Sequence, residues 1–140
     1  MKFLGILFGI LAALFLLWMG AGFVWWQNNH EEVKKAMNQA VEEGEAIGRD
    51  SSDAECLDTY LAIVNDCKEM TCSIQNQVFL KTCLENSQYT HRFCQAIPAK
   101  ESLMTFAKWA AQTCLDRKIE NPNCAAGLQE VSLYCKAKSS

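Results

Sequence analysis

Eight cysteines and two histidines are the side chains of this chain whose chemistry is most easily put to use. His91 lies three residues before Cys94, and positions i and i+3 share a helix face, so the pair could serve as base and nucleophile or as half of a metal site. Both uses need a thiol or thiolate. A Cys94 held in a disulfide can do neither, and the plainer reading of His91 is a surface or half-buried side chain. No CxxC occurs, which removes the usual arrangement in which a depressed thiol pKa drives exchange. Cys67/Cys72 and Cys114/Cys124 are spaced poorly for zinc, whose paired ligands usually sit two to four residues apart. The chain has no Gly-rich phosphate loop and no GxSxG, and Glu42, Glu43 and Glu45 read as a solvated charge run. No enzyme, metal or cofactor is expected.

An even cysteine count confined to residues 56–135 points instead to a disulfide framework in an oxidising compartment. Three pairs share one spacing: Cys56 and Cys67, Cys72 and Cys83, Cys124 and Cys135. Eleven positions on an α-helix make three turns plus about 20°, so each pair lies on one face roughly 16 Å apart. The intervening residues fit that face, with Cys56, Tyr60, Ile63 and Cys67, then Cys72, Asn76, Phe79 and Cys83, then Cys124, Leu128, Val131 and Cys135 stepping 4-3-4. Two such helices joined by the short segment 68–71 must run antiparallel. That brings Cys67 beside Cys72 and Cys56 beside Cys83, within the narrow separation a disulfide permits. The nested pattern over Cys56–Cys83 resembles the twin-CX9C helical hairpins in broad arrangement, with ten intervening residues in place of nine, and no function is carried over from it.

Further along, a helix over 98–118 can start at Pro98, a residue suited to the first turn, and shows Leu103, Phe106, Ala110, Thr113 and Cys114 on one face. Asn121-Pro122-Asn123 then reverses the chain into the helix carrying Cys124 and Cys135. Cys114 with Cys124 spans that turn and leaves Cys94 for Cys135, which requires the segment before Pro98 to fold back. Bridges of this kind contribute roughly 2–4 kcal/mol each, which matters because a small helical domain has a small core. Phe79, Leu80, Phe93, Phe106 and Trp109 are its expected larger members.

The elements that carry this framework follow from charge and hydropathy. Residues 3–26 hold no charge and thirteen Leu, Ile, Phe or Val residues, about 36 Å of helix at roughly 1.5 Å per residue. Trp18, Trp25 and Trp26 lie toward its far end. The segment therefore reads as a transmembrane signal anchor; a cleaved signal peptide is the competing reading, from Lys2 and the small residues Gly20, Ala21 and Gly22. Gly5, Gly9 and Ala13 form a small-residue face on which two membrane helices could pack. Residues 27–55 carry eight acidic and three basic residues, whereas 56–140 carry eight and nine, so the acidity belongs to a juxtamembrane stalk. Clustered Lys and Arg are missing, which argues against nucleic acid. Val33, Met37, Ala40, Gly44 and Ile47 follow a 4-3-4-3 helical seam, the segment 48–52 breaks it, and Ser52 with Glu55 makes a capping box for the next helix.

The expected fold is all-α: an N-terminal single transmembrane helix over 1–26, a helical stalk over 27–50, and a small disulfide-stapled bundle of helical hairpins over 51–140. Lys2 and the distal cysteines predict a cytoplasmic amino terminus and a periplasmic or otherwise extracytoplasmic C-terminal domain. The expected function is a membrane-anchored interaction or accessory protein, a subunit or adaptor of an envelope complex. Its expected partners are the lipid bilayer, other membrane or envelope proteins, and a second copy through the membrane helix. The alternative is a periplasmic immunity or inhibitor protein that binds a toxin or hydrolase.

Overall fold

The computed structural model describes the backbone of residues 2–98 and 103–139, with the side chains of 9–24, 27, 30–98 and 103–139. Every regular element among them is a helix. The chain forms two compact units, Met1–Lys35 and Ala36–Ser140.

The first unit is the leading part of α1 (Lys2–Asp50). Among the described residues no helix is long and apolar enough to cross a membrane. This corrects the expected transmembrane anchor, and with it the single-pass topology and the cytoplasmic placement of the amino terminus. Glycine recurs at 9, 20 and 22 in the described stretch, which lowers both its apolar content and its helix propensity. Of the proposed small-residue face, Gly5 lies outside the described side chains, as do Trp25 and Trp26. Ala13 is exposed, and a Cβ built on Gly9 meets nothing within 4 Å.

The second unit begins with residues 36–50 of α1, which lie on α3 (Met70–Asn86). Gln75 donates its side-chain amide to the Ala36 carbonyl at 3.1 Å, and Gly44 and Gly48 sit progressively further along α3, so the two helices run parallel. The contact is very close. A Cβ on Gly44 would stand 2.8 Å from the Phe79 carbonyl oxygen, and one on Gly48 would stand 2.6 Å from that of Cys83. Ala40, Gly44 and Gly48 are buried while Ile47 is 38% exposed, so the seam runs in steps of four and departs from the expected 4-3-4-3. Small side chains set this register, because only they let the two backbones approach so closely.

Ser52 caps α2 (Asp53–Ile63) with a reciprocal box: its backbone N–H donates to the Glu55 carboxylate at 2.7 Å, and the Glu55 N–H donates to its hydroxyl. The helix ends earlier than the cysteine spacing implies. A 3-10 turn over Val64–Asp66 follows, and Cys67 is extended, so Val64 takes the inward position and Ile63 faces outward. Cys67 reaches Cys72 and Cys56 reaches Cys83, both with Cα atoms 5.7 Å apart, closing an antiparallel hairpin of α2 and α3.

The remaining helices are α4 (His91–Ala96), α5 (Leu103–Asp116), α6 (Cys124–Gly127) and α7 (Gln129–Lys138). The expected start of a helix at Pro98 is not seen: Ile97 is extended, as a residue before proline prefers, and α5 enters the described residues at Leu103, which is 71% exposed. Lys118 closes α5 with φ of 56°, and the N–H groups of Lys118 and Ile119 donate to the carbonyls of Leu115 and Cys114, a Schellman ending. Asn121 then seats the reversal on the first hairpin, donating to the Val64 and Cys67 carbonyls while its oxygen accepts from the Asn123 N–H. Leu128 divides the expected helix over 124–135 into α6 and α7, with Gly127 packed against Tyr60 at the division. Tyr60, Leu80, Leu84, Leu128 and Val131 are the fully buried centre. Phe79 and Phe106 are buried, whereas Phe93 and Trp109 are only partly so.

Candidate functional site

The most site-like feature of the second unit is a cleft of about 560 Å³ between α4 and α7. One wall is His91, Cys94 and Gln95, which share a face of α4, followed by Ile97 and Pro98. Ser132, Cys135 and Lys136 on α7, with Ser139 at its C-cap, form the other, and Tyr89 completes the lining. The Cys94–Cys135 bridge, with Cα atoms 5.2 Å apart, ties the walls together.

A six-residue helix such as α4 cannot hold itself together in water, so its position must come from elsewhere. It comes from Asp53. This carboxylate is fully buried; Oδ2 accepts the Thr90 N–H at 2.7 Å and Oδ1 accepts the Ala54 N–H at 2.9 Å. On the same stretch, Asp53 N–H donates to the Gln88 carbonyl and Gln88 N–H to the Ser51 carbonyl. The α1–α2 corner and the entry to α4 are thereby stitched together. Behind the cleft the Tyr89 and Tyr134 rings meet edge to face at 6.4 Å, and the Lys138 ammonium lies 5.5 Å from the centre of the Tyr134 ring. Burial pushes the Tyr134 phenol above its ordinary pKa, partly offset by the Ser87 hydroxyl, with the Asp53 carboxylate and Tyr89 adding to the rise.

All eight cysteines are bridged: besides the first hairpin and Cys94–Cys135, Cys114 joins Cys124 with Cα atoms 6.2 Å apart. His91 thus stands beside an oxidised sulfur, which offers neither nucleophile nor thiolate ligand. Among the described residues no group of three or more His, Cys, Asp or Glu side chains is placed to hold a metal ion. Chemically the cleft can do something simpler. Its walls offer an apolar surface from Ile97, Pro98 and the bridge, neutral donors from Gln95, Ser132 and Ser139, and the His91 imidazole and Lys136 ammonium.

Sequence reasoning reached His91 and Cys94 but missed Gln95, Ser132, Lys136, Ser139 and the buried Asp53. The available signal was the stripe Ser132, Cys135, Lys136, Ser139 along α7 and its C-cap, beside a cysteine already expected to join Cys94. Comparison with protein families, curated proteins and solved structures found no match to this chain.

Proposed function

We propose that the protein is an interaction module of an oxidising compartment, docking on other proteins as an accessory or adaptor subunit. Four disulfides support the compartment, because such bridges persist where thiols are not kept reduced. They also hold the surface of the second unit in one shape, which lowers the ordering cost of binding.

The observation that carries the reading is α5, which is apolar on two faces. Phe106, Ala110 and Cys114 are buried at steps of four. On the outside, Met104 and Leu115 are 83% and 66% exposed and fall on a stripe with Lys108 and Ala111. A helix apolar on both sides is normally covered on both, and exposed apolar surface on a rigid domain marks contact sites.

The test is a photoreactive residue placed at Met104 or Leu115 of the full chain in its native cells, with Lys81 on α3 as control. A recurrent protein adduct at the α5 positions, lost on Ala111→Glu, is the expected result. Adducts no more frequent than at Lys81 would overturn the proposal.

A further inference from the structure

Two of the four disulfides are shielded by the fold, since Cys56, Cys83, Cys114 and Cys124 are all buried. The other two bridges meet solvent at Cys72 and Cys94, which are half-buried. These differ in what they hold. Cys94 and Cys135 are 41 residues apart and Cys67 and Cys72 only 5, so opening the second bridge takes less from the stability of the fold.

Opening a disulfide puts negative charge on sulfur, and the surroundings of Cys67 and Cys72 suit it. Cys72 lies in the first turn of α3, a 17-residue helix, and no side-chain cap from Glu69 competes for the N–H groups there. The helix dipole favours negative charge at this end. Cys67 is buried, and the equally buried Ser73 hydroxyl lies 3.9 Å from its sulfur, placed to donate to it. The backbone around Cys67 is also a platform. The Asn121 side-chain amide donates to the Val64 and Cys67 carbonyls, and the Glu120 N–H donates to the Asn65 side-chain oxygen at 3.1 Å. The Asn123 N–H donates in turn to Asn121 Oδ1 at 2.9 Å. The reversal between α5 and α6 thus rests on the stretch that this bridge pins to α3.

We propose that the Cys67–Cys72 bridge is an exchange site for a dithiol reductant, and that opening it loosens the seat of residues 120–123. One thiolate of the dithiol attacks the half-buried Cys72 sulfur, and the S–S bond breaks with its electron pair leaving on Cys67. The second thiolate of the dithiol then attacks the dithiol's own sulfur in the mixed disulfide and expels Cys72. The dithiol ends as a disulfide, the bridge is reduced, and the protons of the dithiol pass to Cys67 and Cys72.

The full-length folded protein, treated with limiting dithiothreitol, quenched with iodoacetamide and peptide-mapped, tests the exchange. Cys67 and Cys72 are expected to be alkylated before any other cysteine, with the far-ultraviolet circular dichroism unchanged. Ser73→Ala should lower the opened fraction at the same dithiothreitol concentration. Amide hydrogen exchange tests the coupling. The Glu120 and Asn123 N–H groups should lose protection in the opened protein, and equally in C67A/C72A without reductant, while Leu80 and Leu84 in α3 keep theirs. Earlier alkylation of Cys94 and Cys135, an opened fraction unaffected by Ser73→Ala, or unchanged protection at Glu120 and Asn123 would each overturn the proposal.

Discussion

Gly127 lies so close to Tyr60 that a Cβ built on it would stand 2.0 Å from the tyrosine hydroxyl oxygen and 2.5 Å from the ring carbon bearing it. Tyr60 is 1% exposed, and its hydroxyl donates to the Cys124 carbonyl at 3.0 Å. A side chain at 127 therefore has to expel a buried ring that is bonded to the α6 backbone. Gly127→Ala should destabilise the second unit by about 1–3 kcal/mol, the usual cost of overpacking, at the upper end because the hydroxyl bond is lost too. Urea unfolding followed by far-ultraviolet circular dichroism measures it, and an unshifted midpoint would contradict the packing described.

The same tyrosine predicts behaviour in base. Burial pushes the Tyr60 phenol up to about 12 from an ordinary 10.0, with the Gly127 backbone acting in the opposite direction. The folded state holds the proton more tightly than the unfolded one, so this stabilisation is complete below pH 10 and disappears as pH rises through about 12. Tyr60→Phe should remain folded to higher pH than the parent, and near-ultraviolet titration should lose one late-ionising phenol.

On α1 two glycines should respond in opposite ways to alanine. Gly48→Ala drives a methyl toward the Cys83 backbone oxygen, which cannot swing aside, and should cost about 1–3 kcal/mol in urea unfolding. Gly20→Ala meets nothing within 4 Å and should gain helicity, worth up to about 1 kcal/mol from propensity. Equal effects at the two positions would argue against the close α1–α3 seam.

Lys118 occupies the left-handed position that ends α5, where a Cβ is unfavourable and glycine is the usual residue. Lys118→Gly should raise the unfolding free energy by about 0.5–1 kcal/mol, readable as a higher thermal midpoint. A lower midpoint would show that the lysine side chain contributes more there than its backbone conformation costs.

The bridges should differ in value by the loops they close. Cys94 and Cys135 are 41 residues apart and Cys67 and Cys72 only 5, so the chain-entropy estimate makes loss of the first pair the costlier by about 2 kcal/mol. Paired Cys→Ala substitutions with chemical denaturation give the comparison.

What could be read from the sequence was whatever repeats at short range. Equal spacing in Cys56/Cys67 and Cys72/Cys83 carries a hairpin, and Ser52 with Glu55 marks a helix start, because both depend on neighbours within a few turns. The division at Leu128 could not be read, since it follows from Tyr60 pressing on Gly127 across the fold. Nor could the choice of Gly48 over Ile47 for the α1 seam, which depends on how near the α3 backbone lies. The Cys94–Cys135 bridge was expected, yet the cleft beside it was not, because Asp53, which holds the start of α4, looked like one more charge in an acidic stretch.

The seat of Gly48 has a consequence for the order of assembly. It rests on the carbonyl of Cys83, the residue bridged to Cys56, so oxidation and helix docking share a single anchor point. Correct pairing of Cys83 and docking of residues 40–48 are therefore expected to favour one another, and a pulse of protease during oxidative refolding is expected to cut mispaired chains near Gly44 more readily than correctly bridged ones.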